Sequence, residues 1–177
     1  MPRLLFGEYK PDLVDYEAQY SADIANVVPR ADGYGPFPAL TSFTSALAAA
    51  CRGYFYARNA DGSITVFAGT STKLYKLSNT DFTWGDVSKG SATYSAVPTI
   101  DQWQFEQFNN FVFANQINTT LQIFDLTSST NFADAAGSPP ASRYVTVVNR
   151  FLVLSGLSAN PYRVQWSGLN NVNAATS

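Results

Sequence analysis

Four aspartates occupy the positions from which hydrolytic chemistry could be run. Asp81 and Asp86 fall near the ends of one group of short apolar segments, and Asp125 and Asp134 near the ends of the next. Two carboxylates facing each other across a cleft are the apparatus of glycoside cleavage, one delivering a proton while the other attacks or activates water. Spacing along the chain does not bring any two of them together, and an aspartate at a strand end more commonly closes a turn with its own backbone. Histidine is absent, which removes the commonest general base, zinc ligand and pH switch at once. Cys51 follows Ala48-Ala49-Ala50, has no base to activate it and reads as a small buried apolar residue. The sequence holds no glycine-rich phosphate loop, no nucleophile elbow and no clustered metal ligands. Asn118-Thr119-Thr120 matches the glycosylation triplet but reads as a turn before Leu121. Trp84, Trp103 and Trp166 could line a sugar-binding surface, although their recurrence in successive groups of strands argues more simply for packing. The expectation is a protein that is not an enzyme, with no catalytic residue, no metal and no cofactor.

Composition narrows the partners. Of the 177 residues, 46% are hydrophobic and only 14% charged, below the roughly 25% charged of ordinary soluble domains. A surface covered by Asn, Ser, Thr, Gly and aromatic groups suits broad contacts with other proteins. The net charge is -2, and the 11 Lys and Arg are scattered singly, so the basic face that drives nucleic-acid binding is missing. Non-specific passage of DNA past a weakly acidic wall is compatible with this. No apolar run approaches the roughly 18 residues of a membrane span, and Met1-Pro2-Arg3-Leu4-Leu5-Phe6 is broken by Gly7 and Glu8, unlike a signal peptide. A cytoplasmic site of synthesis and no membrane anchor are expected.

The elements that would position these groups are strands. Residues 1–45 form a Pro- and Tyr-rich zone with Pro2, Pro11, Pro29, Pro36 and Pro38, which opposes long helices and central strands. It reads as an extended arm, with turns at Arg30–Pro38 and with Phe6, Tyr9, Tyr16 and Tyr20 as candidate partner-binding anchors, because aromatic side chains commonly dominate interface energy. The arm would lie on its own domain or on a neighbour. Ser45–Ala50 is Ala-rich and looks helical in isolation, or else opens the first strand.

From Gly53 the pattern is β throughout. Gly53–Arg58, Ile64–Gly69, Lys73–Leu77 and Phe82–Val87 form one set of strands, with a hairpin turn at Asn59-Ala60-Asp61-Gly62. Trp103–Phe108, Asn110–Asn115, Leu121–Leu126 and Asn131–Asp134 form a second, and Arg143–Val148, Phe151–Gly156 and Tyr162–Ser167 a third. Aligning Val66, Val112 and Val153 gives a repeat of roughly 40 to 46 residues, the length of one four-stranded propeller blade. The expected fold class is all-β: antiparallel four-stranded blades of a β-propeller, about three sets over residues 46–177, forming a partial ring behind the arm. An ordinary β-sandwich of hairpins is the alternative. A fourth strand for the last set would be missing, or supplied by Val172-Asn173-Ala174-Ala175. A partial ring leaves sheet faces and edges open, which points to assembly.

Several short stretches carry a resemblance: Asn26-Val27-Val28-Pro29, Gly33-Tyr34-Gly35-Pro36-Phe37-Pro38-Ala39-Leu40, Cys51-Arg52-Gly53, Phe67-Ala68-Gly69 with Lys73-Leu74-Tyr75, and Asn160–Ser167. In these the chain resembles the tail hub and nozzle proteins of short-tailed phages, including those that stabilise packaged DNA. The resemblance spans nearly the whole chain as spaced motifs, although family members are usually much longer. It implies a non-enzymatic part of the virion tail or head-to-tail connector, made in the bacterial cytoplasm and contacting portal, adaptor and tail components. It further implies a ring-shaped homo-oligomer, commonly a hexamer, that forms part of the DNA conduit. A carbohydrate-binding or glycan-cleaving β-domain of the tail-fibre or lectin type is the alternative.

Overall fold

A computed structural model describes residues 25–31 and 33–172 of the chain. It is all-β, with four antiparallel sheets and, among the described residues, only a 3-10 turn at Lys89–Ser91 for helix. Phe6, Tyr9, Tyr16 and Tyr20 lie outside the described residues. The chain divides between Ser42 and Phe43 into two compact units.

The described part of the first unit is a hairpin of β1 (Val27–Arg30) and β2 (Gly33–Pro36). Each strand contains a proline, Pro29 and Pro36, which is tolerated because among the described residues each strand pairs on one side only. The Arg30 side chain occupies the space that a Cβ on buried Gly35 would need. The stretch read as turns and extended chain is therefore in part a paired ribbon.

The second unit holds three meanders, in which sequence neighbours are also sheet neighbours. The first sheet comprises β3 (Tyr54–Arg58), β4 (Ile64–Gly69), β5 (Leu74–Leu77) and β6 (Trp84–Asp86). The second comprises β7 (Gln104–Phe108), β8 (Phe111–Gln116), β9 (Thr119–Asp125) and β10 (Ala133–Asp134). The third has β11 (Ser142–Val148), β12 (Phe151–Leu157) and the short β13 (Gln165–Trp166). Tight turns set the registers. Asn109 and Asn149 take left-handed backbone, with φ of 53° and 55°, a conformation asparagine tolerates better than most residues. Their hairpins close on Phe108 opposite Phe111 and on Val148 opposite Phe151.

Two apolar layers hold the three sheets in a stack. Ala57, Phe67 and Leu74 of the first sheet meet Val112, Ala114 and Phe124 of the second, joined by Val87, Val97, Trp103 and Phe132 from the connections. The rings of Phe67, Phe124 and Phe132 form a triangle with centroids 5.0–5.4 Å apart. On the other side, Phe108, Phe113, Leu121 and Ile123 of the second sheet meet Val145, Leu152 and Leu154 of the third. The second sheet is thus buried on both faces. Its central strand accordingly reads as a continuous apolar run, Phe111-Val112-Phe113-Ala114, as a doubly covered strand must.

Trp103 links the first two sheets. Its backbone N–H donates to the Arg52 carbonyl at 2.7 Å, and its indole N–H donates to the Thr70 carbonyl at 2.8 Å. A Cβ at Gly69 would overlap the indole ring, so the glycine is needed for this close approach. The Tyr94 ring meets the indole edge-on, with centroids 5.3 Å apart.

The first two sheets are the four-stranded meanders expected, the third has three strands, a fourth being absent among the described residues as one expectation allowed, and no closed ring forms among them. Other expectations change. Ser45–Ala50 is neither helix nor strand, since so short a segment cannot offset the cost of helix nucleation. Cys51 is exposed, its thiol donating to the Gly53 carbonyl at 3.3 Å, and is not the buried apolar residue its alanine neighbours suggested. Val66 and Val112 lie on equivalent faces of their sheets, whereas Val153 lies on the opposite one, a position that Leu152 takes instead. A one-residue offset inverts the face because side chains alternate.

Candidate functional site: the end faces of the sheet stack

The carboxylates singled out by the sequence hold turns and ion pairs. Asp81 accepts from the Thr83 N–H at 3.3 Å and hydroxyl at 2.9 Å. Asp125 accepts from the Thr127 N–H at 2.9 Å and hydroxyl at 2.7 Å, and from the Ser128 hydroxyl at 2.8 Å. Asp61, which sequence reasoning treated only as a turn residue, repeats the device with Ser63. These bonds, led by those from Ser78, Thr127 and Ser63 respectively, hold the three carboxyls below their ordinary range. For Asp86, partial burial pushes upward, but the bonds from Lys73 and Ser88 outweigh it and the net shift is downward. Asp134 accepts from Lys89 and Gln122, which lower it. Groups held ionised in this way are poor proton donors at neutral pH. Glu106 moves the other way, raised by burial against an opposing backbone hydrogen bond.

A polar clamp ties the connection after β6 to the second sheet. Tyr94 accepts from the Lys89 N–H at 2.8 Å and donates to Gln122 at 3.1 Å. Burial pushes the Tyr94 phenol up to about 12, and the nearby carboxylates Asp134 and Asp86 add to the rise. Arg52 donates to the Pro98, Thr99 and Asp101 carbonyls at 2.6, 2.8 and 2.6 Å, pinning the loop before Trp103. Asn118 sits in a turn, its N–H on Gln116 and its amide on the Ala96 carbonyl, as its bland reading had it. Among the described residues no cluster of His, Cys, Asp and Glu could hold a metal ion, and no helix is long and apolar enough to cross a membrane.

Exposed apolar and aromatic groups lie on both end faces of the stack. On the first sheet the residues alternating with Phe55, Ala57 and Phe67 point away from the core. These include Tyr54 and Tyr56, 73% and 67% exposed, with Ile64 and the half-buried Val66 beside them. On the third sheet the residues alternating with Val145, Leu152 and Leu154 do the same: Tyr144, Val148 and Trp166 are 56%, 55% and 65% exposed. Val148, Phe151, Val153 and Trp166 line a shallow apolar groove on that face. The three tryptophans therefore differ. Trp103 is in the core, Trp84 is half-buried with its indole N–H on the Thr44 hydroxyl at 3.4 Å, and Trp166 lies on the open face.

Sequence reasoning did not assign these faces. The signal was present in β3, where Tyr54-Phe55-Tyr56 places large apolar groups on both sides, as a sheet with two contact faces requires. No known protein family matches the chain, and no curated protein is significantly similar to it.

Proposed function

We propose that the chain is a structural protein of a short-tailed phage virion, acting in the tail or head-to-tail connector as a hub or nozzle component. In this reading copies of the chain assemble into a ring that joins the portal and adaptor to the tail and forms part of the conduit through which DNA passes without sequence recognition. The meanders are blades of a propeller-like body, and Phe6, Tyr9, Tyr16 and Tyr20 of the arm are the docking anchors. The observation that carries the reading is the stack with two apolar ends: a molecule built this way needs further protein against both. The turn-bound state of Asp61, Asp81 and Asp125 supports a scaffold over a glycosidase, and the resemblance in spaced motifs supports the phage setting.

The test is reconstitution. Purified chain mixed with a portal–adaptor complex should co-sediment as a stoichiometric ring, and deletion of residues 1–20 should abolish that association while leaving the β circular-dichroism signal intact. A chain that never associates with portal–adaptor complexes but binds a glycan array through Trp166 would replace this reading with the carbohydrate-binding one.

A further inference from the structure

The two exposed ends of the stack are not merely both apolar; they are the two halves of a contact the chain already makes twice. In each sheet the first hairpin closes on a hydrogen-bonded pair. The side chains of that pair, and those alternating with it, define one face. Backbone chirality fixes which face this is for a given strand order, so it can be called the forward face in all three sheets. In the first sheet the closing pair is Asn59 and Ser63, the Asn59 N–H donating to the Ser63 carbonyl at 2.9 Å. Its alternation places Phe55, Ala57 and Phe67 forward, against the second sheet. In the second sheet the closing pair Phe108 and Phe111 places Phe113 forward, against the third. Each forward face thus seats on the rear face of the next sheet.

The third sheet repeats the pattern with no other sheet of the second unit in front of it. Its closing pair is Val148 and Phe151, and Tyr144, Thr146, Val153 and Trp166 share that forward face. The free face of the first sheet, with Tyr54, Tyr56, Ile64 and Val66, is a rear face. The forward group holds no charged residue, so Arg58 and Asp86, which share the rear face with Ile64 and Tyr75, meet no like charge in it.

We infer that these faces take each other: the forward face of the third sheet of one copy seats on the rear face of the first sheet of a second copy. The contact is head-to-tail, and such contacts either close into rings or run on as filaments. Propeller rings close with about four to eight sheets, which three-sheet copies satisfy as a pair. The inference rests on the assembly reading above and deepens it by naming a copy of this chain as the occupant of both ends.

The test uses the purified full chain alone and two exposed substitutions, Trp166→Lys on the forward end and Tyr56→Glu on the rear end. Light scattering of the parent should give twice the 19.3 kDa chain mass. Each variant alone should give the single mass with an unchanged circular-dichroism spectrum. Mixing the two should restore the doubled mass, because each retains the face the other lost. A parent that stays at the single mass at high micromolar concentration overturns the inference, even if it still binds portal–adaptor complexes. A doubled mass that survives in either single variant also overturns it, since that outcome requires like faces to meet. A mass that grows without limit keeps the head-to-tail contact and overturns closure by two copies.

Discussion

Substituting Gly69 with alanine probes the closest approach between the first and second sheets. Gly69 lies in β4 directly under the Trp103 indole, and a methyl group there would overlap the ring. The ring cannot easily retreat, because its N–H is held by the Thr70 carbonyl at 2.8 Å and Trp103 is only 2% exposed. Overpacking of this kind costs about 1–3 kcal/mol. Trp103→Ala costs more, about 3–5 kcal/mol, from the lost ring and its cavity. The informative quantity is the double variant. With the indole gone, the new methyl enters vacated space, and alanine restricts the unfolded chain, a gain of about 0.4–1 kcal/mol where the backbone accepts it. Gly69→Ala should therefore change sign between the two backgrounds, giving a coupling energy of at least about 1 kcal/mol. Urea titration followed by circular dichroism measures all four proteins. An equal Gly69→Ala penalty in both backgrounds would refute the account of how these sheets are joined.

Other substitutions have separate readouts. Tyr94 is raised from 10.0 to about 12, so the native state keeps a proton that the unfolded state loses. Stability should be complete below pH 10 and decline as pH rises toward 12, and Tyr94→Phe should flatten that decline in urea midpoints. Asp125 is lowered by Thr127 and Ser128; its contribution is present above the ordinary aspartate range and lost as pH falls through the native value, so Asp125→Asn should show a shallower acid limb. Arg52→Met removes the single terminal amino group, Nη2, that reaches three carbonyls. It should cost about 1.5–3 kcal/mol and speed amide exchange at Asp101, whose N–H bonds to Pro98.

The strands were legible because each is a run of aromatic and β-branched residues between Asn, Asp and Gly turns, and turn chemistry fixes hairpin registers locally. Asp81 and Asp125 were legible as turn residues for a similar reason, the hydroxyl two positions on in Asp81-Phe82-Thr83 and Asp125-Leu126-Thr127. What escaped depended on distance. Neither the exposure of Cys51 nor the irregular Ser45–Ala50 follows from propensity, since tertiary packing decides both. The face of Val153 was misjudged because the alignment matched valine to valine: Val112 comes one residue after the closing Phe111, whereas Val153 comes two after the closing Phe151, which puts it on the other face. The open end faces were invisible until the sheets were stacked, for a strand apolar on both sides does not say how many sheets follow it.

Hydroxyl-radical footprinting tests directly whether other protein covers both ends of the stack. Tyr54 and Tyr56 report on one end, Tyr144 and Trp166 on the other, and Tyr162, 97% exposed, supplies an internal reference. In the native assembly all four should be strongly protected while Tyr162 keeps the labelling of a free ring, and dilution to the dissociated chain should raise the four together. Labelling of Tyr56 and Trp166 in the assembly at the rate of Tyr162 would contradict the account.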